Sequence, residues 1–146
     1  ELMRDMGIDR TILWPTLASS LEERLAFDPD AACAAIHALN EWMHEHWTFN
    51  YADAIFSTPI ISLANLDDAL AELEIIAERG AKIFLIRVAP VPTWKGSKSF
   101  ALPEFDPFWQ RCVEHDVLVT MHVSDSGYAR YDAEWDGSDR EMFVPS

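Results

Sequence analysis

The stretch "AELEIIAERGAKIFLIRVAP", residues 71–90, decides how the rest of the chain is read. Leu73, Ile76 and Ala77 continue a spacing of three and four residues begun by Ala69 and Leu70, the stripe of an amphipathic helix over residues 66–79. Gly80 suits the position just past a helix end. Lys82 to Val88 then runs as a continuous apolar strand interrupted only by Arg87. A strand apolar on both faces is covered on both faces, as parallel strands in α/β proteins are. Joining helix to strand through "GA" alone makes this one half of a β/α unit.

The same grammar extends in both directions. Upstream, "AIFSTPIISLAN" (54–65) predicts a strand from Pro59 to Leu63, because a proline cannot donate to a ladder and fits a strand start. Asn65 caps the helix that follows, and Asp67 and Asp68 complement its dipole. Before it, "DPDAACAAIHALNEWMHEHW" (28–47) opens with Asp28 as cap and Pro29 at the first helical position. Ala32, Ile36, Leu39, Met43 and Trp47 form its expected buried stripe. Thr11 to Trp14 is a short strand closed by Pro15, and "TLASSLEERLAF" (16–27) is a polar loop. Downstream, "APVPTWKGSKSFALPEF" (89–105) is a long loop. Asp106 and Pro107 repeat the cap-plus-proline start of a short helix, and Val117 opens the last strand.

The predicted order is β-α-β-α-β-α-β, with parallel strands and right-handed crossovers. Links from helix to strand are two residues long, whereas two of those from strand to helix are long and polar. Chain is therefore piled at the C-terminal ends of the strands, where both barrels and open α/β sheets keep their sites.

Composition narrows the partners. Of 146 residues, 49% are apolar, enough for a packed core. The 11 basic and 25 acidic side chains leave a net charge of −14, which argues against a nucleic-acid footprint and against an anionic membrane surface. No run approaches the length of a membrane-spanning helix. The expectation is a soluble, cytoplasmic protein acting on a small molecule. Cys33 and Cys112 sit in helical patterns and read as buried free thiols of a reducing compartment, a catalytic cysteine being the alternative.

Four residues stand out for chemistry. In "VLVTMHVSDSG" (117–127) an apolar strand ends on His122, which shares a strand face with Leu118 and Thr120. An imidazole there can bind a metal or move a proton, or simply be hydrogen-bonded in place. Asp125 can orient an imidazole or contact substrate; an Asx-turn is the other use of an Asp in such a turn. Arg87, near the end of its strand, needs an anion: a substrate carboxylate or a neighbouring Asp or Glu. Trp94, between Pro92 and Lys95, could cover a substrate. His44 and His46 have the spacing of a two-histidine metal motif, but on a helix they diverge, and His37, Glu41 and His44 read as a solvated face. Neither dinucleotide-binding nor P-loop fingerprints occur, nor a nucleophile elbow.

In order along the chain, "DMGIDRTILWPT", "AIFSTPIISLAN", "AELEIIAERGAKIFLIRVAP" and "FDPFWQRCVEHDVLVTMHVSDSGY" resemble the amidohydrolase-related proteins of the aminocarboxymuconate-semialdehyde decarboxylase type. The likeness runs from about residue 2 to 135. It implies a (β/α)8 TIM barrel with a divalent metal, usually zinc, at the C-terminal mouth. The ligands it implies are an H-x-H pair from the first strand, a His ending the fifth and an Asp from the eighth. Mapped onto this sequence, the four strands are approximately the second to the fifth, and His122 is the fifth-strand ligand. Arg87, Asp125 and Trp94 would contact substrate.

The H-x-H pair and the eighth-strand Asp have no counterpart here, and a closed barrel takes about 250 residues. The expectation is that residues 1–146 are a single partial domain, completed by remaining barrel segments or by oligomerisation, and inactive alone. The activity implied is that of a metal-dependent hydrolase or decarboxylase on a small carboxylated substrate, aromatic or not. The competing reading is a non-catalytic α/β binding or scaffold module with a structural His122. A flavodoxin-like response domain is weaker, because "TILWPT" lacks the acidic strand end that fold uses.

Overall fold

The computed structural model describes residues 2–16 and 20–122. After a single helical turn, α1 (Leu2–Asp5), the elements are β1 (Thr11–Leu13), α2 (Leu21–Arg24), α3 (Pro29–Trp47), β2 (Asn50–Tyr51), β3 (Ile55–Ser57), α4 (Leu66–Glu78) and β4 (Ile83–Arg87). A hairpin follows, β5 (Val91–Thr93) and β6 (Gly96–Lys98), then a 3-10 turn (Pro103–Phe105), α5 (Asp106–Glu114) and β7 (Leu118–His122).

Four strands run parallel. β1 pairs with β3, and β4 with β7. The two pairs are joined just beyond β3, where Ile60 bridges Leu85: the Leu85 amide donates to the Pro59 carbonyl and the Ile61 amide to the Leu85 carbonyl. The spatial order is therefore β1–β3–β4–β7, each step in the direction of the chain. This is the α/β, parallel, barrel-type arrangement expected. β2 adds to β3 antiparallel, a feature the apolar pattern does not announce.

The ends of the helices show why the links to the strands are so short. At α4, Gly80 takes the left-handed conformation (φ 85°), its amide donating to Ala77 and that of Ala81 to Ile76. Asp116 (φ 51°) does the same for α5, its amide reaching Val113 while that of Val117 reaches Cys112. Both are Schellman closures, and each reverses the chain into a strand within two residues. At the N-termini, Asp28 accepts from the Ala31 amide and Asn65 from Asp67 and Asp68, as those sequences indicate.

The core lies between strands and helices. Phe84 and Ile86 of β4, with Ile61 and Leu63, pack on Leu73 and Ile76 of α4 and on Phe108 and Cys112 of α5. On the opposite face of the strands, Ile60 and Leu85 meet Ile36 of α3. Asn40 of α3 is wholly buried and stands in for a neighbouring strand: its Nδ2 donates to the Ile60 carbonyl at 2.7 Å and its Oδ1 accepts from the Ile60 amide at 2.9 Å. Both of that residue's backbone groups are thereby satisfied where β1 no longer flanks β3.

The sequence reading is corrected in several places. The strand placed at 59–63 has its ladder at Ile55–Ser57, with a single bridge beyond Pro59. β1 ends at Leu13, one residue early. Trp47 is half exposed rather than part of the α3 stripe. Asp106 is the first residue of α5, not its cap, because the preceding 3-10 turn leads straight into the helix. His37 and Glu41 are not merely solvated: His37 Nδ1 lies 2.7 Å from Glu72 and Glu41 pairs with Arg79, tying α3 to α4. The loop 16–27 contains α2, and the loop 89–105 contains the β5–β6 hairpin.

Candidate metal centre

The C-terminal ends of the parallel strands converge. Arg87, the last residue of β4, and His122, the last of β7, are register partners, so their side chains leave the same face of adjacent strands. That face also carries Leu85, Thr120, Ile60 and Ser62. Trp14, next after β1, lies at the far edge of the four-strand set. In a flat sheet it would stand three strand spacings from His122, roughly 14 Å. Their ring centroids are instead 5.6 Å apart. The strand ends therefore lean toward one another over a concave face, as in a barrel, and His122 points into that concavity.

His122 Nδ1 is buried and has no hydrogen-bond partner among the described residues. A buried polar atom left unpaired costs about 1–3 kcal/mol unless something else satisfies it. An unpartnered imidazole nitrogen at a strand end can supply one ligand of a metal site. It is not a whole one: among the described residues no group of three His, Cys, Asp or Glu side chains could hold a metal. His122 can therefore give one ligand to a divalent metal, and the described residues hold no complete ligand set.

Around His122 the mouth is acidic on one side and cationic on the other. A small cavity is bounded by Glu22, Ile36, Ile60, Leu85, Ile86, Arg87 and His122. Glu22 of α2 is only 5% exposed, and its carboxylate accepts from Ser62 Oγ at 2.6 Å. Burial pushes its pKa up; the Ser62 hydrogen bond and the nearby Arg87 charge oppose that without cancelling it. The Arg87 side chain is 8% exposed and bonds the Glu23 carboxylate, itself 19% exposed. α2 thus lies across the ends of the strands, one Glu on Ser62 and the next on Arg87.

Of the residues singled out in the sequence, His122 and Arg87 are brought together. Trp94 sits at the exposed tip of the β5–β6 hairpin, 66% accessible. Asp125 lies outside the described residues. Trp14, Glu22, Glu23 and Ser62 were missed. Ser62 could have been found from strand alternation with Ile60; Glu22 and Glu23 could not, since nothing in "SLEER" distinguishes an inward glutamate from a solvated one. The two thiols are unpaired; burial pushes Cys112 up to about 11, and Cys33 is raised chiefly by burial as well. A larger groove, about 350 Å³, lies between α3 and α4 and is lined by Cys33, His37 and Glu72, not by His122 or Arg87.

Comparison with known proteins gives this arrangement a context. The crystal structure of an amidohydrolase from Mycobacterium avium subsp. paratuberculosis K-10 superposes with a TM-score of 0.88 at 39% sequence identity, over 94% of this chain and 36% of that one. The chain therefore spans about a third of that protein's length. No curated protein matches the sequence. The amidohydrolase family profile matches residues 1–143. With a strand order, a concave face and a strand-end histidine of the kind its sequence suggests, the chain belongs to the amidohydrolase family.

Proposed function

We propose that this segment forms part of a metal-dependent barrel enzyme acting on a small carboxylated, aromatic-type substrate, as a hydrolase or a decarboxylase. The observation that carries the reading is His122 Nδ1: a buried imidazole nitrogen with no partner among the described residues, at the end of a strand, on the concave face. A divalent metal bound there, zinc by preference, would supply Lewis-acid polarisation and lower the pKa of a bound water toward about 7.

The other roles fall to the chain itself. Arg87, one strand away, would seat the substrate carboxylate, its planar fork giving two parallel hydrogen bonds where a lysine would give one point contact. The apolar floor of Ile60, Leu85 and Ile36 excludes water beneath the site. Glu22, whose pKa is raised mainly by burial, sits at the rim, held there by Ser62. Trp94 would cover the substrate from the hairpin, and Asp125 would reach it from beyond β7. Decarboxylation and hydrolysis would place the substrate alike, the carboxylate being lost in one and retained in the other. A cytoplasmic enzyme without a nucleic-acid or membrane partner is consistent with the charge of −14.

The test is metal content. With the segment placed in a complete barrel, elemental analysis is expected to give about one equivalent of metal per chain. His122→Ala should lose most of it, while Thr120→Val, on the same face, should keep it. Equal metal in wild type and His122→Ala removes His122 from the ligand set.

A further inference from the structure

We propose that Glu23 is a built-in occupant of the Arg87 carboxylate seat, and that a carboxylated ligand binds by displacing it; the proposal rests on the reading of Arg87 as that seat. Three observations support an exchangeable contact rather than a fixed one.

First, position. Arg87 is the end residue of β4 on the concave face and the register partner of His122. Glu23 bonds it there, placing a carboxylate on the guanidinium beside the metal-ligand candidate. A carboxylate in that place has the charge and hydrogen-bonding capacity of the ligand group the seat would take.

Second, the two glutamates of α2 differ. Glu22 is almost fully enclosed and held by Ser62 Oγ at 2.6 Å, so it anchors the turn to the end of the β3 segment. Glu23 is more open, its side chain 19% exposed, and lies nearer water than Glu22. The anchor can hold α2 in place while its neighbour lets go.

Third, charge. With Glu23 in place the guanidinium already holds a carboxylate, and Glu22 lies near it as well. Seating a second carboxylate without releasing the first would set two like charges against one cation in a site that is nine-tenths enclosed, which is unfavourable. Exchange of one carboxylate for another leaves the charge of the seat unchanged. It also gives selectivity: an uncharged analogue, unable to replace Glu23 on the guanidinium, is left outside.

The experiment uses the segment placed in a complete barrel and benzoate as probe, with benzamide as the uncharged control, in isothermal titration calorimetry at neutral pH. Glu23→Gln and Glu23→Ala are the informative variants, with Arg87→Met as reference and far-UV circular dichroism as the check on folding. If Glu23 occupies the seat nine-tenths of the time, its removal is expected to tighten benzoate about tenfold, because apparent affinity scales with the fraction of competent sites. Benzamide should bind none of the proteins. Weaker or unchanged benzoate binding in both folded Glu23 variants overturns the proposal, making Glu23 a support that orients Arg87. Unchanged binding in Arg87→Met, or no binding by any of the proteins, overturns the reading of Arg87 itself.

Discussion

The rings of Trp14 and His122 meet at 5.6 Å although they stand at opposite edges of the four parallel strands. Their contact closes the concave face above Ile60 and Leu85, and it places the imidazole inward. Trp14→Ala should therefore lower stability by about 1–2 kcal/mol, the loss of an aromatic pair together with part of its buried area. Urea denaturation measures the loss, and the ring resonances of His122 should shift in the same variant. If those resonances stay where they are, the two rings do not meet in solution.

Asn40 should be among the most sensitive polar positions. It satisfies the amide and the carbonyl of Ile60 and also donates to Glu72 at 2.7 Å. Asn40→Leu would leave the Ile60 amide and carbonyl without partners and take one donor from Glu72, which keeps His37, at a cost of about 3 kcal/mol or more. Asn40→Asp would keep the acceptor for the Ile60 amide but lose both donors, and should be destabilised as well. Equilibrium unfolding that finds either variant within about 0.5 kcal/mol of wild type would contradict the hydrogen-bond assignment.

Glu22 gives stability a pH signature. Its pKa is raised in the folded chain above the ordinary 4.5, mainly by burial. Between the unfolded and folded values the native state holds the extra proton, so stability falls as pH rises through that window. The favourable contribution is fully present below about 4.5 and is lost above the folded pKa. Glu22→Gln removes the ionisation while keeping a partner for Ser62, and should make the chain relatively more stable at pH 7 than at pH 4. A wild-type-minus-variant difference that does not change with pH would rule this out.

Cys112 should resist alkylation. With its pKa at about 11, on the order of one molecule in a thousand carries the thiolate at pH 8. Iodoacetamide labelling of the native protein, read by mass spectrometry, should be slow at Cys112 and become fast in urea. Rapid native labelling at that position would mean that α5 is not seated on β4.

Much of the fold can be read directly from the chain because its signals are local. Asp28–Pro29, Asn65 and Gly80 punctuate helices through their own backbone preferences, and the apolar run of β4 needs no distant partner to be recognised. What could not be read depends on distant neighbours. The β3 ladder moved to Ile55–Ser57 because β1 flanks it only there, and Asn40 replaces the missing strand beyond. α2 has four residues, too few to show a periodicity. In the site, His122 and Arg87 were visible as polar residues ending apolar strands. Glu22 and Glu23 were not, because their inward placement follows from how α2 crosses the strand ends. Asp116 was taken only as a helix end, since a left-handed Asp in the place of a Gly leaves no mark in the pattern.

The most direct test is a zinc titration, followed by NMR, of this segment placed in a complete barrel with its histidine rings labelled with 15N. The chain has five histidines, four of them (His37, His44, His46 and His115) on α3 or at the end of α5, away from the concave face. The His122 ring nitrogens are expected to move first and saturably, the Nδ1 resonance most, with that response absent in His122→Ala. Zinc-induced shifts confined to the helix histidines, with the His122 ring unmoved, would contradict the reading of His122 as a metal ligand.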